Sequence, residues 1–110
     1  MTDSGYRLLH RIVRTSPPAL DDFVSHAARG RPVPDDPEDA RVLDGISVYS
    51  TAAQARRKRR TSPVLGAWIA VLRVPLDGSV RVERTRGEGH HTIWGEPAVL
   101  LALVVEVGPT

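Results

Sequence analysis

Gly45-Ile46-Ser47-Val48-Tyr49-Ser50-Thr51-Ala52-Ala53-Gln54-Ala55, running on into Arg56-Arg57-Lys58-Arg59-Arg60, reads as a strand, a sharp corner and a helix. Side chains alternate across a strand, so Ile46 and Val48 share one face and Ser47 and Tyr49 the other. Thr51 and Gln54 fit the T-x-x-Q capping box that opens a helix, with Ser50 as an alternative N-cap. The helix is expected over 51–60. The corner therefore holds Tyr49, Ser50 and Thr51 beside the freed amides of a helix N-terminus, a place suited to an anion.

Before this stretch, residues 6–14 carry Leu8, Leu9, Ile12 and Val13 between polar residues. The apolar pairs fall on both faces of a strand, which suits a strand covered on both sides; the i, i+4 spacing would also suit a helix. After the break at Ser16-Pro17-Pro18, Leu20, Phe23, Val24 and Ala27 are spaced i, i+3, i+4, i+7 and predict a second helix. Asp21 and Asp22 suit its N-terminus, Arg29 its C-terminus and Gly30 its C′ position. Asp36-Pro37-Glu38-Asp39 reads as N-cap, proline and acidic first turn of a short helix to about Leu43. Asp44-Gly45 then turns the chain into the central strand.

After the basic run, Ser62-Pro63 stops the helix, and residues 67–74 form an apolar strand expected to be central. Pro75 ends it, and Asp77-Gly78 is a hairpin-type turn signal. Residues 79–84 alternate Val80 and Val82 with Arg81 and Glu83, the pattern of a half-exposed strand. Gly87-Glu88-Gly89 reads as a flexible loop, 90–94 as a short strand, Glu96-Pro97-Ala98 as a helical turn and 101–107 as a closing buried strand. Strands interleaved with few helices predict a compact single α+β domain over 1–110, with a mixed or largely antiparallel sheet and two to three short helices.

The chain of 110 residues has room for one modest core. With 41% hydrophobic and 25% charged residues it has an ordinary globular balance. Net charge is only +2, so any nucleic-acid argument must rest on local clustering. There is no cysteine, which excludes disulfides, thiol catalysis and thiolate metal sites. No run of about 20 apolar residues is present to span a membrane, and Met1-Thr2-Asp3-Ser4-Gly5 lacks a signal pattern, so a cytoplasmic location is expected.

Each candidate site residue has two readings. Ser50 and Thr51 either contact a nucleotide through their hydroxyls or only cap the helix, while Tyr49 either meets the ligand or packs. Arg56 to Arg60 advance about 100° each and encircle the helix, so at least one must lie toward the core and snorkel. The run either binds phosphate or complements the helix dipole as a solvated end. His90 and His91 point to opposite faces and are poorly placed to share a metal, so no metal is expected. Either histidine is available as a general base or substrate contact, or packs beside Trp94 at a sheet edge. Arg7, Arg11 and Arg14, with His10, are the polar residues of the first strand. The acids Glu83, Glu88, Glu96 and Glu106 are scattered, and no catalytic pair can be assigned among them.

The order of these pieces resembles the ADP-ribosyltransferase-like superfamily: an early strand at 6–15, then Gly45-Ile46-Ser47-Val48-Tyr49-Ser50-Thr51 followed by Ala52 and Ala55 as the strand-to-helix corner. The resemblance implies a split-sheet domain that binds NAD or a related nucleotide in a cleft. Arg11 or Arg14 would hold phosphate, Tyr49 would contact the nicotinamide ribose, Ser50 and Thr51 would lie at the corner, and His91 would line the cleft. A degenerate member would bind without catalysis. The competing reading is a non-enzymatic interaction module whose basic helix 51–60 meets nucleic acid or an acidic protein partner.

Overall fold

Two apolar strands, β1 (Tyr6–Val13) and β3 (Trp68–Pro75), pair antiparallel along their whole length, from Tyr6 opposite Pro75 to Val13 opposite Trp68. They form the spine of a six-stranded sheet, described here from a computed structural model covering residues 5–86 and 89–110. The other strands are β2 (Ile46–Tyr49), β4 (Arg81–Arg84), β5 (His90–Trp94) and β6 (Val104–Pro109). The order is β4-β5-β2-β1-β3-β6 and every pairing is antiparallel. With helices α1 (Pro37–Leu43), α2 (Ala52–Thr61) and α3 (Pro97–Ala102), the chain is one α+β domain.

The sheet is split. β2 pairs with β5 over its four residues, and β1 with β3 over eight, but β1 and β2 meet at one bridge, His10 opposite Tyr49. Beyond that bridge, the end of β1 and the start of β2 diverge. The molecule is thus two three-stranded halves, β4-β5-β2 and β1-β3-β6, forked at one end.

Each face of the sheet has its own cover. Leu9, Val13, Ile46, Val48, Ala70, Leu72, Val74 and Ile93 form one buried layer, closed by Phe23 and by Leu100 of α3. On the other face Ile12, Tyr49 and Ile69 pack on Ala55 of α2. Helix α2 opens with the predicted capping box: Thr51 Oγ1 accepts from the Gln54 amide at 3.1 Å, and Gln54 Oε1 accepts from the Thr51 amide at 3.2 Å. Thr51, not Ser50, is the N-cap. α1 starts at the predicted Asp36-Pro37, with Asp36 Oδ1 accepting from the amides of Glu38 and Asp39.

Four expectations are corrected. The helix predicted from Leu20 stops after a 3-10 turn at Leu20–Phe23, and Val24 is extended. Asp22 is tied backward instead: its carboxylate accepts from the amides of Arg14 and Ala19, both at 2.9 Å. Burial of Phe23 and this tether to the end of β1 outweigh helical spacing, and residues 25–31 close as turns through Ser25 Oγ and backbone bonds. Asp77-Gly78 makes a local turn, with Asp77 Oδ1 accepting from Ser79, and no β3–β4 hairpin. Both sides of β3 are taken by β1 and β6, so the chain crosses to the far edge and β4 pairs with β5. The closing strand is a half-exposed edge, not buried, because among the described residues nothing pairs with its outer side. β1 is covered on both sides only toward its end: Leu8, near its start, is 45% exposed because α2 covers Ile12 and does not reach it. Gly87 and Glu88 of the predicted loop lie outside the described residues. Among those residues no helix is long and apolar enough to cross a membrane.

Candidate anion-binding cleft

The fork between β1 and β2 opens into a cavity of about 420 Å³. β1 contributes Arg11 and Ile12, with Arg14 just beyond its end. β2 contributes Ile46, Ser47 and Tyr49, and the turns after Phe23 contribute Ser25, His26, Arg29 and Arg31. Lys58 of α2 and Arg86 complete the charged lining.

Arg11 spans the fork. Its Nε donates to the Asp22 carbonyl and its Nη1 to the Ser47 carbonyl, both at 2.7 Å, so one guanidinium joins the two halves of the sheet where their ladder is missing. Burial lowers its pKa to about 10, against the opposing charge of Asp22, and it remains a cation at neutral pH.

The lining is electrically one-sided. Arg11, Arg14, Arg29, Arg31, Lys58 and Arg86 face two acids, Asp21 and Asp22. Asp22 is occupied by backbone amides, and Asp21 pairs with Arg29 at 3.1 Å. Arg86 lies 3.6 Å from Asp39. The side chains of Arg14, Arg31 and Lys58 make no hydrogen bond or ion pair among the described residues. His26 senses the field: its pKa is lowered by partial burial first, then by the charges of Arg31, Arg11 and Arg29.

A polar chain runs along the α2 face of β2 and β5. His90 Nδ1 lies 3.1 Å from the Thr85 carbonyl, which can only accept, so in the neutral ring Nδ1 carries the proton. His90 Nε2 is then the lone-pair end, and it accepts from Ser47 Oγ at 3.0 Å. Thr85 Oγ1 sits 2.9 Å from Nδ1 and 2.7 Å from Thr92 Oγ1, which extends the chain inward. The Tyr49 ring packs edge-on against His90 with centroids 5.4 Å apart, fixing the imidazole plane. Burial lowers the pKa of His90 and raises that of Tyr49, so both are neutral at pH 7.

Of the sequence-derived candidates, Arg11, Arg14 and Tyr49 come together around the cavity. Ser50 and Thr51 do not line it: Ser50 Oγ donates to Gln54 Oε1 at 2.6 Å, and Thr51 caps α2. His91 lies on the opposite face from Tyr49, buried, where Nε2 accepts from Arg7 Nη2 at 3.0 Å and Nδ1 lies 3.3 Å from the Gly89 carbonyl. Sequence reasoning missed Ser47, Arg29, Arg31 and Lys58 as neighbours of one cavity. Strand alternation already put Ser47 on the Tyr49 face; its pairing with His90 needed the β2–β5 register. In the basic run, Arg59 is the residue turned inward, its Nε donating to the Gly66 carbonyl at 3.2 Å. Among the described residues no cluster of three or more His, Asp or Glu could hold a metal. No protein-family model, no curated protein and no solved structure matches this chain.

Proposed function

We propose that this protein binds an anionic nucleotide, NAD foremost, in the cleft between β1 and β2. The observation that supports it is the cavity at the sheet split, of a size suited to a small ligand and lined by cations that outnumber its acids. Arg14, Arg31 and Lys58 are available to phosphate oxygens, while Arg11 donates two hydrogen bonds to carbonyls and adds its charge. Tyr49 and Ile12 offer apolar surface to a ribose or base. The split sheet and the Tyr49 corner agree with the ADP-ribosyltransferase-like resemblance, in which a nucleotide lies across such a cleft.

Thermal unfolding with millimolar NAD tests the reading. A ligand that binds only the folded state stabilises it by RT ln(1 + [L]/Kd), so NAD raises the Tm of the wild type. Tyr49→Ala and Arg14→Gln lower that rise while each variant still melts cooperatively. Equal shifts in all three proteins, or none, count against NAD. Repeating the series with ADP and with nicotinamide mononucleotide shows which part of the molecule the cleft holds.

A further inference from the structure

We propose that Ser47 and His90 form a nucleophile–base pair, and that the cleft carries out a phosphoryl-transfer step on a phosphodiester or phosphoanhydride. This rests on the reading of the cleft as a site for a phosphorylated ligand and adds chemistry to it. Four observations converge on the pair. Ser47 lines the cavity. Its Oγ lies 3.0 Å from His90 Nε2, within the reach a general base needs. The Thr85 carbonyl at Nδ1 sets the tautomer that leaves Nε2 free to take a proton, and the edge of Tyr49 holds the ring in place. With its proton directed at Nε2, the Ser47 oxygen keeps lone pairs for an electrophile.

The charges around the pair suit phosphorus. Arg11, Lys58 and Arg86 share the cavity with Ser47, and guanidinium and ammonium groups stabilise the equatorial oxygens of a phosphoryl group in transit. Ser47 Oγ attacks phosphorus and forms an O–P bond as its proton passes to His90 Nε2. The P–O bond opposite Ser47 breaks in line, the leaving group departs on the far side of phosphorus and takes its proton from water, and His90 gives its proton to water. Water then attacks the phosphoserine diester or monoester, again losing a proton to His90, and Ser47 is released with its hydroxyl restored. No electron is transferred and no further reactant is needed.

An alkyl fluorophosphonate reports on the first half of this step: Ser47 Oγ displaces fluoride, and the proton goes to His90. Peptide mass spectrometry of the labelled wild type should find one adduct, on Ser47. Ser47→Ala should show none while still melting cooperatively, and His90→Gln should label at least about 100-fold more slowly. The wild type provides a second reading if His90→Gln does not fold. Its labelling rate should fall on acidification below pH 6.5 as His90 takes a proton, with Ser47 and Tyr49 of β2, Lys58 of α2, Thr85, Arg86 and His91 as the groups around the ring. No adduct, an adduct on another residue, an unchanged rate in folded His90→Gln, or a rate that rises on acidification overturns the proposal. A nucleotide that fails to shift the Tm while Ser47 labels as described overturns the ligand reading and leaves the pair standing.

Discussion

At the scale of single residues, the two adjacent histidines show how a strand separates chemistries. Alternation alone assigns them to opposite faces, and that much was legible in the sequence. Their partners were not, because Arg7 is 84 residues from His91 and Ser47 is 43 from His90, and only the sheet register brings them together. Both rings are neutral in the folded protein. Burial is the main cause of their lowered pKa values, with Arg7 and Arg84 adding to it at His91 and Arg86, His91 and Lys58 at His90; backbone carbonyls oppose the shift. In the unfolded chain each titrates near pH 6.5. Below that pH the unfolded state therefore binds more protons than the folded one, and stability falls on acidification. Above pH 6.5 neither state holds the proton, and the contribution is complete. Urea midpoints measured at pH 7.5, 6.5 and 5.5 should fall in that order, and His91→Gln should flatten the trend. A midpoint that rises toward acid would contradict the assignment of neutral rings.

At the scale of elements, signals confined to a few neighbouring residues carried through, and signals that needed distant partners did not. The Thr51-Gln54 box and the Asp36-Pro37 start fix α2 and α1 because their bonds close within one turn. The helix expected from Leu20 failed because Asp22 is bound to the end of β1 and Phe23 to the core, neither of which periodicity can register. Gly66, which joins the 3-10 turn Pro63–Leu65 to β3, reveals another long-range constraint, set by the end of β1. Its φ is +147°, and a Cβ there would lie 2.2 Å from the Val13 carbonyl oxygen, a backbone atom that no rotamer change moves aside. Gly30 also has a positive φ, +90°, but with nothing within 4 Å. Gly66→Ala should therefore cost more than the about 1–3 kcal/mol of a strained backbone alone, and Gly30→Ala should stay within that range. Chemical denaturation of the two variants side by side checks the order, and equal losses would show that the close approach of the turn to β1 contributes nothing.

At the scale of the whole molecule, function depends on where the cations gather more than on how many there are. The net charge of +2 gives little long-range attraction for a polyanion. Folding nevertheless concentrates Arg11, Arg14, Arg29, Arg31 and Lys58 at one fork, drawing on residues from β1, the turns after Phe23 and α2. The most conspicuous basic run in the sequence contributes only Lys58 to that fork. Arg56, Arg57 and Arg60 are exposed and outside the cavity, and Arg59 is turned toward Gly66. The sequence showed the run but not this division of labour, since the direction of each side chain follows from Ala55 being the face of α2 that packs on Ile12 and Ile69. Replacing Arg56, Arg57 and Arg60 with Gln keeps helix propensity nearly constant. It should therefore leave the Tm and the nucleotide-induced rise in Tm nearly unchanged, whereas Lys58→Gln alone should reduce that rise. The same triple variant addresses the nucleic-acid reading. Binding through these three residues would weaken steeply with salt, and their loss would lower the salt slope by up to about three units. Fluorescence anisotropy with a short duplex at several salt concentrations measures that slope. With the cations sorted as they are, the expected outcome is no binding by the wild type even at low salt, and tight binding abolished by the triple change would move the site from the fork to α2.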